Sequence, residues 1–445
     1  MPNGDALAQE AQEICQALLR MDTTNPPGRE RVAAEFLKKK LEEVGYKPEL
    51  VEGAPGRTNL VARWKGSGKC EPLLLTAHLD VVAADPTQWK YPPFSGALAE
   101  GCLWGRGAVD MKHMAAMSTA VMCRLAREQA SLSRDVIFAA VADEETGCEL
   151  GSRFLVEQYP ELVRAEYALG ECGGFSLHIG ERTFYPVQVA EKGFCWVRAR
   201  VRAEPGHGSL PRRNSAVVQL AEAVTRLARG RFPARETETF HTFLSQIVAA
   251  QPAWLRPLLR FFSRPRWLAP LLHWLPETGP LRSLRASLSD TASPTVLAAG
   301  SKINVIPGEA EVLIDGRTLP GQTQENFLRE LAAVLGPKFE LEVLKAEPPV
   351  VTVPTESPLL DAIRCEIAAR EPDAVVVPYL LPGFTDAKYF SRLGTRWYGF
   401  TPLKLERGSG LRFADMFHGH NERIPVAGLC WGTEVLYAVV RRFCA

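Results

Sequence analysis

Hydrophobic positions in the N-terminal part of the chain follow two alternating rhythms. Between Arg31 and Val44, the residues Val32, Phe36, Leu37, Leu41 and Val44 recur at helical spacing, which predicts an amphipathic helix. Between Pro72 and Asp80, Leu73, Leu74 and Leu75 form an unbroken apolar run, which predicts a strand buried on both faces. A long helical stretch covers Met111 to Glu128. A second continuous strand covers Asp135 to Ala142, and a short one Glu166 to Leu169. Strands alternating with helices predict an α/β unit whose sheet is mostly parallel and carries helices on both faces.

The rhythm changes after Gly193. Cys195, Val197, Ala199 and Val201 alternate with Trp196, Arg198, Arg200 and Arg202, as in a sheet with one solvated face. Ala216–Leu227 and Gln324–Leu335 read as helices, Ala310–Ile314 and Phe339–Leu344 as strands. Residues 193–348 thus predict a smaller α+β domain inserted into a larger one made of residues 1–192 and 349–445. Ser357–Ala369 and Val426–Arg441 return to helices of the larger domain. No internal repeat interrupts this order.

Composition narrows the function classes. A chain of 445 residues that is 46% hydrophobic can bury a large core without disulfides. Its 52 basic and 51 acidic residues leave a formal charge of +1, which excludes a nucleic-acid footprint spread over the whole chain. None of the ten cysteines forms a CxxC pair, so zinc-finger and redox motifs have no support and a reducing compartment is expected. Met1–Arg20 lacks the apolar run of a signal peptide, so a cytoplasmic location is expected. Pro252–Leu275 is rich in Leu, Trp and Phe, yet it contains Arg256, Arg260, Arg264 and Arg266 and four prolines. Each arginine would cost roughly 2.5–3.5 kcal/mol in a bilayer and the prolines would break a long helix, so no transmembrane span is expected.

Candidate chemistry sits where the predicted strands end. His78 and Asp80 close one strand, Asp143, Glu144 and Glu145 the next, and Glu171 follows Leu169. Asp110 lies in a turn with Gly105 and Gly107. Open parallel sheets bind ligands beyond the carboxyl ends of their strands, so these groups can converge on one crevice. Carboxylates gathered there repel and desolvate badly unless a cation sits among them. Two Zn²⁺ ions and a bridging hydroxide would neutralise Asp110, Glu145 and Glu171, and the mixture of imidazole and carboxylate suits Zn²⁺ better than Mg²⁺ or Ca²⁺. Taken singly, each group also has an ordinary reading as a turn, cap or surface residue.

The ordered set TAHLDVV, GRGAVDMK, ADEETG, ALGE, EPGHGS, NVIPGEAEVLIDGR, PGFTDAKYF and HGHNERI resembles the dinuclear zinc hydrolase superfamily. Aminoacylase, carboxypeptidase G, carnosine dipeptidase and succinyl-diaminopimelate desuccinylase belong to it. PTVL, YGFTP and HGHNE point to the branch of carboxypeptidase S and the N-fatty-acyl-amino-acid hydrolases. The resemblance implies that His78, Asp110 and Glu171 hold one zinc and that Asp110, Glu145 and His418 hold the other, with Co²⁺ or Mn²⁺ as possible substitutes. It implies Glu144 as general base on a metal-bridged hydroxide and Asp80 as the partner that fixes the tautomer of His78. His207, supported by Asn304, would reach the site of the neighbouring subunit in a homodimer built on a lid and dimerisation domain. Arg317 would take the substrate carboxylate, and Gly383 and Thr385 would form the substrate turn. The expected reaction is cleavage of an amide bond in N-acyl amino acids or small peptides with a free carboxylate. The alternatives are a dipeptidase or carboxypeptidase on unmodified peptides, a non-catalytic homologue, or a lipid-surface-binding one.

The chain departs from the family pattern in two places. His113 and Met114 follow DMK where many relatives have small residues, and Cys172 separates Glu171 from Gly173 and Gly174. Cys172 is read as a bystander. The apolar stretch from about residue 232 to 290 is longer than a minimal insert needs. It is expected to be core, an acyl pocket or a membrane-surface contact, with Trp267 and Trp274 on the acyl side.

Overall fold

Leu73 and Leu75 pack into one hydrophobic core and Leu74, between them, into another. The same alternation divides Val136, Phe138 and Ala140 from Ile137, Ala139 and Val141. In a strand, successive side chains point to opposite faces, so continuous apolar runs are the signature of a sheet covered on both sides. These strands, Cys70–His78 and Arg134–Val141, pair in parallel at the centre of the larger sheet in a computed structural model of the chain. The structure describes residues 2–230, 232–274, 279–353 and 355–445.

The larger sheet is mixed. Its parallel centre comprises Arg134–Val141, Cys70–His78, Tyr167–Gly170 and Arg396–Gly399. Glu49–Ala54 and Arg57–Trp64 extend one side antiparallel, and Arg182–Glu191 joins the other antiparallel to Arg396–Gly399. Val375–Leu381 runs parallel to Arg182–Glu191. Helices Pro2–Leu19, Arg31–Glu42, Lys112–Arg127, Pro358–Arg370 and Val426–Cys444 supply the larger core on one face. Leu155, Val156, Tyr389 and Phe390 help cover the other.

The insert has its own core. A four-stranded antiparallel sheet runs in the order Thr291–Ala299, Glu309–Thr318, Gly193–Arg202, Phe339–Glu347. Helices Ala216–Arg229 and Gln324–Leu335 bury Leu220, Leu227, Phe327 and Leu331 against Val197, Ala199 and Val312. The opposite face carries ion pairs, such as Arg198–Glu342 at 2.7 Å and Arg202–Glu340 at 2.9 Å, as the alternation of apolar and basic residues predicts.

Between these strands the chain forms helices Glu238–Ala249, Arg256–Phe262, Pro265–Trp274 and Gly279–Ala286. Pro257 and Pro265 sit in first turns, where proline is tolerated, and Pro270 lies inside its helix. Among the described residues, no helix is long and apolar enough to cross a membrane. Leu275 and the Arg266 side chain lie outside what the structure describes.

Candidate active site

The parallel strands deliver their terminal groups to one place. His78 ends its strand fully buried, with Nε2 3.0 Å from Asp110 Oδ1 and 3.7 Å from Glu171 Oε2. On the far side of Asp110, His418 Nε2 stands 3.2 Å from Asp110 Oδ2 and 3.1 Å from Glu145 Oε2. Two clusters that could hold metal ions result, His78–Asp110–Glu171 and Asp110–Glu145–His418, and Asp110 offers one oxygen to each. His418 belongs to the second cluster and His420 to neither.

Electrostatics show that the pocket suits cations. Burial and the Asp110 charge push Glu145 up to about 7, although His418 and His78 oppose the shift. Glu171 is raised by burial although His78 opposes the shift. Hydrogen bonds to Asp110 and Glu145 push His418 up to about 10. Glu145 Oε1 and Glu171 Oε1 are buried with no hydrogen-bond partner among the described residues. A buried carboxylate oxygen left unpaired is costly. Two metal ions would engage these oxygens together with the imidazoles, so the donor set fits a dinuclear centre.

Glu144 and Glu145 form a short 3-10 turn just past the Arg134–Val141 strand. The Asp80 carboxylate accepts hydrogen bonds from the backbone N–H of Glu144 and of Glu145, both at 3.1 Å, and from Asn25 Nδ2 at 2.8 Å. His78 Nδ1 bonds the backbone carbonyl of Asp80 at 2.9 Å, while the Asp80 carboxylate lies 3.6 Å away. His78 Nδ1 thus meets the Asp80 main chain at hydrogen-bond distance with the Asp80 carboxylate just beyond it, and that carboxylate also orients both glutamates. Burial and the Glu171 charge raise the Glu144 carboxyl well above the ordinary range.

Two further groups position these residues; the sequence pattern marks Asp143 only as a strand-end group and does not single out Glu422. The buried Glu422 carboxylate accepts from Arg106 Nη1 at 2.8 Å and from the N–H groups of Gly107, Val109 and Asp110 at 3.1, 2.7 and 3.2 Å. Because Glu422 follows His418 by one short loop, a single side chain ties the turn carrying Asp110 to the loop carrying His418. Gly107 permits that turn. Its φ is +91°, and a Cβ there would come within 2.9 Å of Val81 and Lys112. The second group is built on Asp143, which sits at φ +66°. Its carboxylate accepts from Arg57 at 2.9 Å, from Asn25 at 3.1 Å and from the Leu150 N–H at 3.0 Å, and Arg57 also pairs with buried Glu30. A hint was available, since Asp143 adjoins the glutamate pair and Glu422 stands in HGHNERI.

The other expected residues are placed less directly. His207 and Asn304 come together where Gly206–His207 pairs with Val305–Ile306, but both are exposed and outside the metal clusters. Nδ1 of His207 lies 2.8 Å from the Ser209 hydroxyl. The Arg317 guanidinium is paired with Asp315 at 2.8 and 3.0 Å and stacks 4.7 Å from the Phe384 ring. Gly383 lies in a bend, and the Thr385 hydroxyl donates to buried Glu191 at 2.7 Å. Cys172 stands at φ +70° outside both clusters, and burial and the Glu171 charge raise its thiol well above the ordinary range. His113 is buried, and desolvation pushes it down to about 4.

The apolar stretch needs a correction. Trp254, Trp267 and Trp274 are exposed, and none of them lines the apolar cavity on that side of the molecule. The flanking helices do so instead. A cavity of about 820 Å³ is walled by Phe240, Leu244, Ile247, Tyr379, Phe175 and Phe413, among others. Phe175 lies on the loop that begins with Glu171. Phe413 leads through Phe417, ring centroids 5.9 Å apart, to His418 at the same spacing. The cavity thus adjoins loops of both clusters.

Fold and site together define a metal-dependent hydrolase. The profile of peptidase family M20/M25/M40 matches residues 74–442, and the chain belongs to that family. The chain is 30% identical to human N-fatty-acyl-amino acid synthase/hydrolase PM20D1 over 80% of its own length and 71% of that protein. It is 28% identical to the probable carboxypeptidase S-like 2 of Dictyostelium discoideum, over 86% of this chain and 74% of that one. The M20 family metallo-carboxypeptidase Sso-CP2 from Sulfolobus solfataricus has the same fold, with a TM-score of 0.72 at 18% identity, covering 98% of this chain and 99% of the other.

Proposed function

We propose that this hydrolase cleaves the amide bond of N-acyl amino acids with a free carboxylate, and that it prefers long or bulky apolar acyl groups. The observation that carries this reading is the apolar cavity beside the Glu171 and His418 loops. Its size lies in the range of small-molecule sites, and its aromatic and aliphatic walls suit a hydrocarbon chain rather than a charged peptide terminus. The kinship with a fatty-acyl-amino-acid hydrolase points the same way.

In this reading His78, Asp110 and Glu171 hold one Zn²⁺ and Asp110, Glu145 and His418 the other, with Co²⁺ or Mn²⁺ able to substitute. Bound there, the ions would generate a nucleophile at neutral pH and polarise the scissile carbonyl. Glu144 takes the proton of the attacking water and returns it to the leaving amine. Asp80 holds Glu144 in place through its backbone N–H. Arg317 receives the substrate carboxylate in exchange for Asp315, since a guanidinium binds either bidentately. Gly383 and Thr385 shape the turn beside it.

His207 completes the site from a second subunit, with Asn304 beside it. Support comes from its exposure and from the neighbouring surface. Thr291–Ala299 is an edge strand with Val296 and Leu297 exposed, and Ile303 and Val305 are exposed close by. Such an edge is ready to pair with another copy. The enzyme is read as a cytoplasmic homodimer.

The test is kcat/KM for N-acetyl, N-hexanoyl and N-lauroyl derivatives of one amino acid, with dipeptides alongside. Each buried methylene contributes about 0.8 kcal/mol, so four more should raise kcat/KM by about two orders of magnitude. Leu244→Trp, which narrows the cavity, should reduce that rise and spare the acetyl substrate. A flat profile in the wild type, or dipeptides as the better substrates, would contradict the acyl reading.

A further inference from the structure

The helices Arg256–Phe262 and Pro265–Trp274 present more apolar surface than their packing uses. No side chain of the first helix is buried, although Leu258, Phe261 and Phe262 are 54%, 46% and 39% exposed. The second turns Leu268 and Leu272 inward against Phe240 and Leu288, yet Trp267 and Leu271 lie 44% and 41% exposed on its outer side. Trp254, just before, is 79% exposed. A surface helix ordinarily shows one apolar face to the core and a polar face to water. Here the outward face is apolar and aromatic as well, so a second apolar environment fits it.

Charge decides which environment. The sequence has no acidic residue between Thr239 and Pro276, whereas Arg256, Arg260 and Arg264 are interleaved with the exposed apolar side chains. Arg260 and Arg264 are exposed, and among the described residues neither forms an ion pair with a carboxylate. Burial in a protein–protein core would strip water from these guanidinium groups without supplying counter-charges. A two-fold contact with a second copy would set arginine against arginine. An anionic bilayer supplies both needs in the right layers, phosphates for the guanidinium groups and the acyl boundary for Trp and Phe.

We infer that residues 254–274 form an interfacial docking surface for anionic lipid membranes. The segment lies on the bilayer and does not cross it, because no helix among the described residues is long and apolar enough to do so. Its neighbours in the chain, Glu238–Ala249 and Gly279–Ala286, carry walls of the apolar cavity. On the acyl-substrate reading above, docking brings those walls to the phase in which long-chain substrates dissolve.

The experiment is co-sedimentation of the full-length protein with phosphatidylcholine vesicles, with and without phosphatidylglycerol. The readout is binding, so it stands apart from the substrate assignment. Binding is expected to anionic vesicles and to weaken as salt is raised. Arg260→Glu with Arg264→Glu should lower the partition coefficient by about 30-fold or more, from the usual contribution of two basic residues at a charged surface. Trp254→Ser with Phe262→Ser should also lower it, with thermal midpoint and N-acetyl substrate turnover unchanged. Absence of binding to either vesicle, or equal binding by wild type and both variants, overturns the inference. So does self-association that the Trp254 and Phe262 variant abolishes in a protein that ignores vesicles.

Discussion

Glu144 and Glu145 are chemically identical neighbours, and only their surroundings separate them. Glu145 reaches His418 at 3.1 Å and belongs to a metal cluster, whereas Glu144 belongs to none. Glu144→Gln is therefore expected to keep its zinc and lose at least about 10²-fold in kcat, the lower range for a general base. Metal analysis beside the assay checks this, and loss of zinc in that variant would mean the two roles are reversed. At this scale His78, Glu144, Glu145 and Glu171 stood out as candidates because they follow apolar runs, while their separate roles, and those of Asp110 and His418, were legible only through the family resemblance. What holds these residues was not legible. Glu422 meets Gly107 and Val109, and Asn25 meets Asp80, across long stretches of chain that no local pattern links. The left-handed backbone of Asp143, Cys172 and His418 was equally hidden, because it is imposed by tertiary contacts.

Elements were read best where burial is one-sided or complete. Gln324–Leu335 and the strands Gly193–Arg202, Glu309–Thr318 and Phe339–Glu347 follow their periodicity closely, whereas Thr291–Ala299 was not legible. The antiparallel flanks of the large sheet escaped: Val350–Val351 is short, while Arg57–Trp64 and Arg182–Glu191, although 8 and 10 residues long, interrupt their apolar positions with polar ones that the tertiary fold buries. The junction between the two sheets, Glu191–Lys192–Gly193, holds a buried amine that periodicity could not reveal. Lys192 Nζ donates to the carbonyls of Ala286 at 3.0 Å and Ser289 at 2.8 Å. Burial, partly offset by Asp290, pushes it down to about 7 from an ordinary 10.5. Between those values the unfolded chain binds the additional proton, so the Lys192 contribution makes stability rise with pH across that window and level off below it. Denaturation midpoints at pH 7 and pH 9.5, in wild type and Lys192→Met, should show a steeper upward trend in the wild type. Parallel trends would remove Lys192 from the pH response.

The whole molecule places His207 on the insert and the metal clusters on the body, so the proposed role of His207 is tested by subunit pairing. Mixing inactive His207→Ala with inactive Glu144→Ala protein under exchange conditions should restore part of the activity, because each mixed dimer holds one intact composite site. A mixture shown to exchange but still inactive would return His207 to its own chain or to no role. The membrane-facing segment belongs to this scale too. Its Leu, Trp and Phe content was visible in the sequence, but only the structure separates the residues that face inward, Leu268 and Leu272, from those left in solvent.

The central claim is that Asp110 is shared by two metal ions. Zinc per chain, measured on purified protein after equal loading and dialysis, tests it most directly. Wild type should retain two equivalents, and Glu145→Ala and Glu171→Ala should each give up mainly one. Asp110→Ala should lose most of both, because its two oxygens face His78 and His418 separately, at 3.0 and 3.2 Å. Two equivalents of zinc retained by Asp110→Ala would contradict the account.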